Sequence, residues 1–107
     1  MNKTELTAAY NILDQIHSEF SMEYSDFRNG SNAKIRSKAE RNIDNIIDRA
    51  CYYIQHNETI YYLLVGENSS DYSKAIAWDE FKSPSWFGRD LAKLLRDIKE
   101  KINQVED

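Results

Sequence analysis

Cysteine is almost missing from this chain: Cys51 is the only one in 107 residues. A single thiol excludes an internal disulfide and any zinc site built on several cysteines, and such usage fits a reducing, cytoplasmic setting. Proline occurs once and glycine three times. That scarcity argues against a turn-rich sandwich or barrel and in favour of helices. The glycines, Gly30, Gly66 and Gly88, are isolated from one another, so no glycine-rich loop can cradle a phosphate. No apolar run approaches the roughly 20 residues needed to span a bilayer. The polar stretch from Met1 to Tyr10 does not read as a signal peptide. Internal repeats and low-complexity tracts are also lacking.

What is present fits one folded domain over residues 1–107, with 41 % hydrophobic and 30 % charged side chains. The net charge is −4 and unevenly spread. Residues 1–30 and 57–82 each carry −3, residues 31–56 carry +2, and residues 83–107 balance. Direct binding to a nucleic-acid backbone is not expected of such a chain, because neutralising phosphates dominates that affinity.

Helical periodicity is visible in three places. Leu6, Ala9, Leu13, Ile16, Phe20 and Phe27 recur at helical steps, with Thr4 or Asn2 as N-cap and Asn29-Gly30 as the stop. Ser31 is the expected N-cap of a second helix with the stripe Ile35, Ala39, Ile43, Ile46, Ile47, Ala50 and Ile54, ending near His56-Asn57. The short connection predicts an antiparallel helical hairpin. Residues 59–65, rich in β-branched and aromatic types, read as a strand, and residues 73–78 as its return across the Gly66–Asp71 turn cluster. Ser83-Pro84 opens a last helix with the stripe Phe87, Leu91, Leu94, Leu95, Ile98, Ile102 and Val105. The expected class is α+β, predominantly helical, in the order α-α-β-β-α.

Candidate chemistry is sparse. Cys51 lies beside the apolar stripe of the second helix, where a small buried thiol is the ordinary outcome. His56 sits at a helix end, where capping is the ordinary role. No metal-ligand spacing, catalytic set or cofactor motif is present, so neither an enzyme nor a cofactor is expected. Lys34, Arg36, Lys38 and Arg41 crowd the start of the second helix. Two readings fit them: neutralisation by Glu23 and Asp26 across the hairpin, or an anion-binding helix start for a phosphorylated or nucleotide ligand. Arg49, Arg89 and Arg96 could extend that second site.

The leading expectation is a partner-binding surface for a protein with a basic face. Its acidic members are Glu23, Asp26, Glu67, Asp71, Asp79 and Glu80, and its aromatic anchors are Tyr62, Trp78 and Trp86. Solvated charge and core packing are the ordinary explanations for most of these residues. In size, acidity and want of catalytic apparatus, the chain resembles in outline the small inhibitors of phages and mobile elements, anti-CRISPR proteins among them, and toxin-neutralising immunity proteins. That likeness implies a non-catalytic inhibitor acting by protein–protein interaction. A homo-oligomeric scaffold, paired through the β-hairpin, is a further alternative; no membrane association is expected.

Overall fold

The computed structural model describes residues 2–66 and 78–105. The described residues hold five helices: α1 (Lys3–Asn29), α2 (Ala33–Gln55), α3 (Glu58–Val65), α4 (Trp78–Phe81) and α5 (Pro84–Gln104). Among the described residues there is no strand, so the fold is all-helical and the expected α+β class is corrected.

The correction falls on the presumed β-hairpin. Residues 59–65 lie within α3, where Ile60 and Leu64 are buried one turn apart and Tyr61 and Leu63 pack against the same core. Burial on several sides erased the amphipathic period that would have marked a helix. Asn57 and Gly66 bracket the element: the Asn57 carbonyl accepts from Tyr61 N–H at 2.9 Å, and Gly66, at φ 63°, donates to the Tyr62 carbonyl. That left-handed position suits glycine. The proposed return strand, residues 73–78, falls outside the described residues except for Trp78, which opens α4.

The long helices follow their sequence signals closely. Asn2 caps α1 with a reciprocal capping box to Glu5. The cap of α2 is Asn32 rather than Ser31; its side chain accepts from Ile35 N–H at 2.9 Å. Ser83 stands at the start of α5 with Pro84 inside the first turn, without a side-chain capping bond. α1 and α2 form the expected antiparallel hairpin: Ile12 and Tyr53 border one recess, and Glu23 and Asn42 another. Arg49 and Glu19 pair across it at 2.8 Å.

α5 closes the bundle against both. Its start meets the middle of α1, with the His17 ring Nε2 3.2 Å from the Gly88 carbonyl and Phe87 against Phe20. Its far end shares a recess with Thr59, Tyr62 and Leu63 of α3. Since α3 follows the C-terminus of α2, α5 runs antiparallel to α1. The core draws on every helix, from Leu6, Leu13 and Phe20 through Ile43 and Ile54 to Ile60, Phe81, Phe87, Leu94 and Ile98. Among the described residues, no helix is long and apolar enough to cross a membrane.

Candidate functional site

The closed end of the α1–α2 hairpin reaches past the packed core. Residues 21–38 contain no buried residue, although most of them are helical. Met22 is 73 % exposed and Ile35 40 % exposed, so Ile35 leaves the core stripe that periodicity assigned to it. Tyr24 and Phe27 cover the inner side and are only partly buried. The predicted acidic residues Glu23 and Asp26 and the predicted cations Lys34, Arg36 and Lys38 all stand on this tip, with Arg41 one turn beyond. Two groups of residues expected to serve rival functions thus share one surface.

Their side chains do not neutralise one another. Among the described residues, no ion pair joins Glu23 or Asp26 to Lys34, Lys38 or Arg41. Arg36 acts structurally, since its guanidinium donates to the Gly30 carbonyl at 2.9 Å and ties the α2 start to the end of α1. Gly30 itself has no room for a side chain, since a Cβ there would stand 2.5 Å from the Asp26 carbonyl oxygen. The turn is therefore tight, and it presents both helix ends in fixed relation. No acidic residue lies in the first turn of α2 to offset its positive dipole end.

The second candidate surface surrounds α4 and the start of α5. Trp78 is only half exposed, held between Tyr61 and Phe81. It belongs to a series of eight rings, Tyr62, Tyr61, Trp78, Phe81, Phe87, Phe20, Tyr24 and Phe27, with successive centroids 4.8–6.1 Å apart. Tyr62, half-buried at one end, and Trp78 thus act mainly as packing. Trp86 is exposed, with the Arg89 guanidinium 4.9 Å from its ring centre. Asp79 and Glu80 are exposed on α4. Glu67 and Asp71 lie outside the described residues.

Groups with reactive potential are engaged elsewhere. Cys51 is buried, and desolvation pushes its thiol up to about 11 against the weaker pull of Lys82. It borders an open recess of about 560 Å³ with Asp44, Asp48, Tyr52 and Lys82, but a protonated thiol is a poor nucleophile. The His17 ring meets the Gly88 carbonyl, and His56 Nδ1 donates to the Tyr52 carbonyl at 2.7 Å, the capping role expected of it. Among the described residues, no three His, Cys, Asp or Glu side chains converge as a metal site.

Sequence reasoning missed Asp90. It is 3 % exposed, and its Oδ2 has no hydrogen-bond partner among the described residues. The signal was available: position 90 falls three residues after Phe87 and four before Leu94, on the core face of α5. No family model, curated protein or solved structure matches this chain.

Proposed function

We propose that this chain is a non-catalytic binding protein that docks on a protein partner through the hairpin tip and inhibits by occupying that partner's surface. The supporting observation is that residues 21–38 form a helical frame with no buried residue, on which Met22 and Ile35 stay exposed among charges of both signs. Exposed apolar side chains on a rigid support suit a partner, since little ordering entropy is spent when they dock. Glu23, Asp26, Lys34 and Lys38, with no ion pair among the described residues, would set register and select the partner, which is what rim charges do best. The partner surface this implies offers an apolar seat flanked by both basic and acidic groups, rather than a basic face alone. Trp86 and Arg89 supply a separate aromatic anchor at the start of α5. The outline likeness to anti-CRISPR and immunity-type inhibitors belongs with this reading.

The test uses the intact chain as immobilised bait in a host lysate, beside the double variant Met22→Glu/Ile35→Glu. The wild type is expected to retain one protein at near-stoichiometric level, and the variant less than a tenth of it, with an unchanged melting temperature. Equal recovery by both, or recovery by neither, would overturn the proposal.

A second reading rests on the absence of ion pairs to Lys34, Lys38 and Arg41 among the described residues. In it, the start of α2 takes a phosphorylated or nucleotide ligand. A ligand bound only by the native state must raise its melting temperature. An unshifted transition across a nucleotide panel and inorganic phosphate removes that reading. The scaffold paired through a β-hairpin loses its physical basis, because residues 59–65 are helical and offer no strand edge.

A further inference from the structure

Between α1 and α2 run two open recesses of about 320 and 360 Å³, and no described residue of α3, α4 or α5 lines either of them. They meet at the Arg49–Glu19 ion pair, which borders both. An exposed apolar side chain stands in each, Ile12 in the first and Met22 in the second. The groove so formed starts at the docking tip and continues well beyond it.

The two recesses repeat one pattern. On α1, Ile12, Gln15 and Ile16 of the first are answered by Glu19, Met22 and Glu23 of the second, each seven residues further on. On α2, Asn42 and Ile46 of the second are answered by Arg49 and Tyr53 of the first at the same interval. Seven residues make two helical turns, about 10 Å. A helix laid in the groove places its side chains at i and i+7 one above the other at that distance. In an extended strand the same distance falls on about three residues, which turns the second side chain to the opposite face. The spacing therefore selects a helix.

Charge on the rim selects which helix. Glu19 is taken by Arg49 at 2.8 Å. Glu23, beside the second recess, and Asp26, three residues on, have no ion pair among the described residues. Resting on the docking reading above, we propose that the partner lays an amphipathic helix along this groove. Its apolar side chains at i and i+7 enter the two recesses, and a lysine or arginine beside the second faces Glu23. The tip then holds one end of the contact and Ile12, about 15 Å along α1, the other.

Fluorescence anisotropy on the full chain tests this with three synthetic peptides of about three heptads, all with leucine at i and i+7. One is flanked by lysines, one by glutamates, and one is the lysine peptide with a central proline that breaks its helix. The lysine peptide is expected to bind about tenfold tighter than either of the others. Glu23→Lys should reverse the order of the lysine and glutamate peptides. Ile12→Glu should weaken the lysine peptide about tenfold with an unchanged melting temperature. Amide shifts of the wild type need no variant to fold, and the lysine peptide should move Ile12, Met22 and Tyr53 together. Equal binding of the three peptides, binding by none, or shifts confined to the tip would overturn the proposal. So would a dimer in sedimentation that Ile12→Glu dissociates, since a second copy would then own the groove. Lysate capture separates the two readings. A partner lost by Met22→Glu/Ile35→Glu but kept by Ile12→Glu leaves docking at the tip standing and removes the groove helix.

Discussion

Gly88 faces Phe20 of α1 at close quarters. A Cβ there would stand 2.9 Å from Phe20 Cε1. The Phe20 ring cannot easily yield, being buried and in ring contact with both Tyr24 and Phe87. Alanine is the better helix former by about 1 kcal/mol, but overpacking costs roughly 1–3 kcal/mol. Gly88→Ala should therefore destabilise by about 1 kcal/mol, as a lower midpoint in urea denaturation. Asp90 gives the opposite case. Its raised carboxyl means that folded protein binds the proton better than unfolded protein does. The contribution of Asp90 to stability should then be greatest below about pH 4, decline as pH climbs through about 6, and level off above. Asp90→Asn should raise stability at pH 7.5 by roughly 1–3 kcal/mol and lose the advantage at pH 4. Denaturation at the two pH values measures the difference. Periodicity puts position 90 on the core face, and the clear apolar stripe around it masks the acid there.

At the scale of elements, the start of α2 separates two neighbouring residues that the sequence leaves nearly equivalent. Ser31 and Asn32 are both good N-caps, and only the backbone decides between them. The Asn32 side chain makes the capping bond, so Asn32→Ala should cost about 1 kcal/mol and Ser31→Ala almost nothing. Thermal melts of the two variants check this directly. The cost at Asn32 should be fully felt, since the cations of this helix start already oppose its dipole. The long helices were legible because each has one wet and one dry face: Leu6 to Phe20, Ile43 to Ile54, Phe87 to Ile98. α3 was illegible for the same reason in reverse. Thr59, Tyr61, Tyr62, Leu63 and Val65 are all partly covered around the fully buried Ile60 and Leu64, so no face stands out. Their preference for strands amounts to under about 1 kcal/mol per residue, which tertiary packing overrides.

For the whole molecule, uneven packing matters more than its charge sum. The candidate partner residues were legible as types but not as a constellation. The hairpin reading puts Glu23 and Asp26 opposite Lys34 and Lys38, but spacing could not reveal that no ion pair joins them among the described residues, or that Tyr62 and Trp78 are spent in an aromatic series. This end of the hairpin exposes Arg28, Lys34, Arg36, Lys38 and Arg41, so trypsin should be able to cut there, as mass spectrometry of a brief digest would show. A nick at this end severs the chain where few core contacts cross. The two pieces then each own a share of one apolar interior: Leu6, Leu13 and Phe20 on one side, Ile43 onward on the other. Separately expressed halves divided at Gly30-Ser31 should find each other and reassemble, making this end of the hairpin a natural place to split the molecule or to splice in a foreign segment.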